Sequence, residues 1–160
     1  MAKPPTGFGT PDVEIILGTK HGQMRFDKEA LAVKPGAKVK LTLNNTCEML
    51  HNWVLVKGGV SDRDRVSGKA LQLGARSMVK HFVPEDAAIV ASSQIAMPGK
   101  SVEVYFTAPN AEGDYPYVCT LPGHAFTMVG TLAVAKNTKA ALNRLNKSKP
   151  SVRAQWPLLV

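Results

Sequence analysis

The chain has 160 residues but only two cysteines, Cys47 and Cys119, so a disulfide-stapled scaffold is excluded. Aromatic residues make up 6% of it, and no apolar run approaches the ~18 to 20 residues that a bilayer crossing needs. The N-terminal "MAKPPTGFGTP" lacks the apolar segment and small-residue cleavage site of a signal peptide, so it carries no export address; a mature form or a piece of a longer chain is expected. Acidic residues are missing altogether after Ala135: residues 136–160 hold six Lys and Arg, whereas residues 1–135 hold fourteen against twelve Asp and Glu. The formal charge of +8 therefore belongs mostly to the tail. With no basic stripe over the folded part, a nucleic-acid-binding face is not expected.

What the chain does have is period-2 alternation. Short segments bounded by turn residues recur: VEIIL, QMRF, AKVKLTL, NWVLV, AIVAS, SVEVYF, YPYVC and TLAVA. In AKVKLTL, Val39, Leu41 and Leu43 face one way while Lys38, Lys40 and Thr42 face the other, the signature of a half-buried strand. Turns at Lys34–Gly36 and Met97–Lys100 each precede a strong strand. An all-β sandwich or barrel follows. One stretch, residues 61–74, reads instead as a short helix or flap, capped at Ser61, with Val66, Ala70, Leu71 and Leu73 near helical spacing and Gly68 weakening it. After Ala135 a second weak helix is expected, capped by Asn137 or Thr138. Residues 1–11 are then a Pro/Gly-rich lead, 12–135 one domain, and 136–160 a basic tail. A helix so short is marginal in water and must pack on something: the outer face of the sandwich, an acidic partner or another copy of the chain.

The chemistry concentrates in CTLPGHAFTM, where Cys119, His124 and Met128 stand in the spacing Cys-x4-His-x3-Met between two strands. His51, in MLHNWVLV, begins another strand and can project from the same end of the sandwich. One thiolate, two imidazoles and a thioether favour copper by ligand softness. Structural zinc would bring more Cys or His at close spacing, and a thiol nucleophile would want a group that lowers its pKa; both remain open alternatives. His21 and His81 lie outside the motif, with no Cys, His or carboxylate at ligand spacing, so a second copper cluster and substrate turnover are not expected. Cys47 is read as a free thiol, because pairing would consume the Cys119 thiolate. Met24 and Met97 are read as core or turn filling, and Trp53 as a core aromatic.

These motifs, over roughly residues 20–135, resemble the copper-binding region of azurin and auracyanin in the cupredoxin family. The resemblance implies an eight-stranded Greek-key β-sandwich and one type 1 (blue) copper ion, with His51, Cys119 and His124 as equatorial ligands and Met128 axial. It implies a small electron carrier cycling Cu(II) and Cu(I), not an enzyme, in the periplasm or another extracytoplasmic space, with redox protein partners docking near His124. Alternative roles are the electron-entry domain of a larger oxidoreductase and copper delivery or storage. Azurins have Gly before the first ligand histidine, with its carbonyl near the metal; Leu50 stands there in this chain and is the candidate for that weak contact. Asn52 is expected to tie the His51 strand to the cysteine loop. The backbone N–H groups of Asn52 and Leu121 are expected to donate to the Cys119 sulfur, with Leu121, Met49 and Phe126 supplying apolar surface around His124.

Overall fold

The computed structural model describes residues 3–148. Eight strands form two mixed sheets. The first sheet orders β1 (Val13–Gly18), β3 (Lys38–Asn44) and β6 (Ser101–Thr107), with β1 parallel and β6 antiparallel to β3. The second orders β2 (Ala30–Val33), β8 (Val129–Val134), β7 (Gly113–Val118), β4 (Val54–Val56) and β5 (Ile89–Ser92), with β2 parallel to β8 and the other pairs antiparallel. From β1 to β4 the chain changes sheet at every connection, which produces the parallel pairs and closes a sandwich over one core.

Alternation explains the first sheet: Val39, Leu41 and Leu43 of β3 are buried while the intervening residues are half-buried. Trp53 is fully buried beside Tyr117 and Phe106, with ring centroids 6.0 and 5.6 Å away, and is a core aromatic as expected. The five-stranded sheet does not alternate because it is covered on both faces. Leu55 joins the main core, whereas Val54, Val56 and Val118 meet Val66 of helix α1 (Val60–Leu71) on the outer side. At the other edge, Ala133 meets Ala141 and Leu145 of helix α2 (Thr138–Lys147), with Ala30 and Ala32 packed against them. Small side chains on β2 and β8 let that helix lie close.

Three expectations change in detail. QMRF is a turn, not a strand: Gly22 takes φ +69°, Lys20 N–H donates to the Arg25 carbonyl, and only Phe26 is buried, through a single bridge to Thr19. The eighth strand is instead Ala30–Val33, whose apolar residues face both the core and α2 and so show no polar alternation. Helix α1 is capped at Gly59, not Ser61; the Asp62 carboxylate accepts from the Gly59 N–H at 3.2 Å. The second helix forms where expected, and the Asn137 side chain caps it by accepting from Ala140 N–H at 3.0 Å. Of the packing surfaces considered, the outer face of the sandwich receives it, and Arg144 clamps Asp114 of β7 through two bonds of 2.8 and 2.6 Å. The closing VRAQWPLLV lies outside the described residues. Among the described residues no helix is long and apolar enough to cross a membrane.

Candidate metal centre

His51 is fixed by a two-way backbone bridge to Ala96: its N–H donates to the Ala96 carbonyl at 3.3 Å and its carbonyl accepts at 2.7 Å. Cys119 follows the last residue of β7, and its N–H donates to the Met128 carbonyl at 3.0 Å, closing the loop on itself. Within that loop Gly123 takes φ +80°, which an L side chain adopts only at a cost. The turn launches a short 3-10 helix, His124–Phe126, after which Met128 N–H donates to the His124 carbonyl at 2.8 Å. Nine residues of spacing thus become one tight knot.

The result brings together the residues the motif named. Ligand atoms of His51, Cys119 and His124 lie within 4.8 Å of one another, the only such group of three His, Cys or carboxylate donors among the described residues. The Cys119 Sγ is 3.9 Å from His51 Nδ1 and 3.5 Å from His124 Nδ1. The two imidazoles are 5.0 Å apart, tilted by 52°. All three residues are buried, as is Met128. Burial pushes the Cys119 thiol up to about 11, against the opposing pull of the Asn52 and Leu121 backbone N–H groups. Burial, with the neighbouring His124 charge second, lowers His51 to about 4, and burial also lowers His124. A neutral imidazole keeps one ring nitrogen with a lone pair that a metal can take. The His51 Nε2 is buried without a hydrogen-bond partner. A soft thiol and two neutral imidazoles at one buried point, in a loop closed by backbone bonds to the buried Met128, fit a copper ion chemically.

Around this point Asn52 does more than the sequence indicated. Its backbone N–H donates to the Cys119 Sγ at 3.5 Å. Its side chain accepts from Thr120 N–H at 2.9 Å and donates to Thr120 Oγ1 at 2.8 Å and to the His81 carbonyl at 2.8 Å. Thr120 Oγ1 in turn donates to the Phe82 carbonyl at 2.6 Å. His81 and Phe82 take φ of +52° and +57°, a left-handed pair held by these two bonds. The His81–Phe82 buttress had no signal in the sequence: neither residue type announces a left-handed backbone. Leu50 is half-buried and packs against the main core. Leu121 is buried, whereas Phe126, two residues after His124, is 90% exposed; Met49, expected beside His124, is exposed and lines a cleft with His21 and Cys47. Cys47 and Cys119 are both free, as expected.

The profile of the family described as copper binding proteins, plastocyanin/azurin family, matches residues 13–135. Auracyanin-A of Chloroflexus aurantiacus is 39% identical over 128 residues, covering 79% of this chain and 76% of the relative. Azurin of Bordetella pertussis is 32% identical over 125 residues, covering 73% and 79%. The solved structure of auracyanin A, a "blue" copper protein from Chloroflexus aurantiacus, superposes with a TM-score of 0.71 at 38% identity, over 77% of this chain and 98% of that one. The matched span begins with β1 and ends just past β8, enclosing both sheets and the buried Cys119 cluster, so the chain belongs to the plastocyanin/azurin family of copper-binding proteins.

Proposed function

We propose that His51, Cys119 and His124 would hold a single copper ion, with Met128 as a weaker ligand, and that the protein carries electrons between redox partners. The carrying observation is the convergence of one thiol and two imidazole nitrogens on a point with Sγ–Nδ1 separations of 3.9 and 3.5 Å. When bound, copper supplies a one-electron Cu(II)/Cu(I) couple. The chain holds the donors where both oxidation states accept them, so little rearrangement is needed. Hydrogen bonds from Asn52 and Leu121 to the sulfur withdraw charge from the thiolate and tune the potential. The Leu50 carbonyl is the candidate for a further weak contact.

Burial of all four donors supports retention of the ion over copper delivery. His124 is 7% exposed and stands beside the exposed Phe126, which supports docking of a redox partner at that end. Weak redox encounters need less than about 1,200 Å² of contact, so a small apolar rim suffices. An extracytoplasmic setting follows by kinship with azurin and auracyanin. The reading that this domain is the electron port of a larger oxidoreductase predicts the same centre and differs only in what is attached. Adding Cu(II) to the metal-free protein should give an intense visible thiolate-to-copper band, and Cys119→Ser should abolish it. A colourless copper complex in the parent protein would overturn the assignment.

A further inference from the structure

Beside the copper loop, a cleft of about 440 Å³ is lined by His21, Met24, Cys47, Glu48 and Met49, together with Gly22 and Gln23. The sequence gives these residues no common spacing, since His21 and Cys47 are 26 positions apart; the fold alone collects them. Two thioethers, one free thiol, an imidazole and a carboxylate are an uncommon lining for a surface cleft. Met24 and Met49 are 38% and 43% exposed, so neither thioether serves the core.

The walls are fixed: Cys47 is itself 5% exposed, and the Met24 and Met49 side chains reach solvent. Thr46 N–H donates to Thr19 Oγ1 at 3.0 Å and Thr46 Oγ1 to the Thr19 carbonyl at 2.8 Å, clamping the two segments together. The Cys47 thiol donates to the Lys20 carbonyl at 3.1 Å across the same junction. Asn45 Nδ2 donates to the Met49 carbonyl at 2.7 Å, and Thr127 Oγ1 donates to the Met24 carbonyl at 2.8 Å. The last bond joins the cleft to the loop next to Met128. The His, Cys and carboxylate donors here are not gathered into a closed shell, unlike His51, Cys119 and His124. An open set of soft donors suits an ion content with two or three ligands, and thiolate with thioether selects Cu(I).

We propose that this cleft is a second, exchangeable site for a monovalent soft cation, Cu(I), bound by Cys47 with the Met24 and Met49 thioethers, with His21 lining the same cleft. Binding replaces the Cys47 S–H bond by a sulfur–metal bond and releases the proton to solvent; no electron is transferred. Glu48 adds negative charge to the same wall.

Silver(I), a redox-inert ion of the same charge and softness, tests this. The copper-loaded protein is titrated with Ag(I) and followed by native mass spectrometry and visible absorption. The expected product carries one silver in addition to copper, with the visible band intact. Cys47→Ser should lose the added ion, and so should Met24→Leu combined with Met49→Leu, whose exposed positions leave folding undisturbed. Silver binding reads the cleft and the visible band reads the buried centre, so the two assignments fail separately. Absence of a silver adduct, silver entering only as copper leaves, or equal silver binding by the variants would each overturn the proposal.

Discussion

The backbone N–H of Asn52 meets the Sγ of Cys119 at 3.5 Å across 67 positions of sequence, and the Asn52 side chain locks the next residue, Thr120, by two further bonds. One asparagine therefore both donates to the sulfur and fixes the place of the loop that carries it. Asn52→Ala should keep the N–H but unpair buried groups of Thr120 and the His81 carbonyl, each at about 1–3 kcal/mol. Denaturant unfolding should show the loss, and the visible band should broaden or shift as the cysteine loop loosens.

Met128→Leu should leave a strong visible band, because the thiolate and both imidazoles remain. The reduction potential should rise, since removing a weak donor disfavours Cu(II) more than Cu(I). Voltammetry and absorption on the same sample would check this; loss of colour would mean that Met128 is needed to hold the ion.

Phe126→Lys should slow electron exchange with a redox partner while leaving the visible spectrum nearly unchanged. Phe126 is solvent-exposed and contributes little to the core, so its replacement tests the docking end without disturbing the fold. Stopped-flow exchange measured at several salt concentrations would check it, and unchanged rates would place the port elsewhere.

Asp86 anchors helix α1: its carboxylate takes Arg65 at 3.1 Å and Lys69 at 2.7 Å and accepts from Ala88 N–H at 2.9 Å, with its side chain 4% exposed. These partners, the Arg65 bond foremost, hold its pKa below the usual carboxylate value. The stabilisation is therefore complete above the unfolded Asp pKa, near 3.9, and is lost as pH falls through the lowered folded value. Asp86→Asn should lower the Tm at neutral pH, and the gap between variant and parent should narrow in strong acid. A gap independent of pH would show that the charge is irrelevant.

Leu145→Ala on α2 should cost about 2–3 kcal/mol, the lower part of the range for a buried leucine, because the helix packs on small residues at the edge of the sandwich. Copper binding and colour should survive, as they should in a chain truncated after Ala135, since none of the four proposed ligands touches that helix's segment of sequence. Failure of the truncated chain to fold would make α2 part of the domain proper. Weakened, less salt-sensitive partner association in that chain would support a docking role for the basic tail.

Sequence alone determined the strand pattern wherever one face is polar, as in β3, and it named the candidate donors, because Cys-x4-His-x3-Met and a histidine just ahead of a strand admit few chemistries. It also located both helices, since apolar spacing and an Asn cap act locally. Only the tertiary structure decided the rest. The strand at Ala30–Val33 is covered on both faces, so no alternation marks it, and QMRF carries the alternation yet turns at Gly22. The left-handed His81–Phe82 pair is held by side chains of Asn52 and Thr120 from distant segments of the chain, and the thioether-lined cleft unites segments 26 residues apart. Local patterns are written in periodicity and ligand spacing; juxtaposition across the sandwich depends on which sheet each connection enters, and no short stretch of residues encodes that.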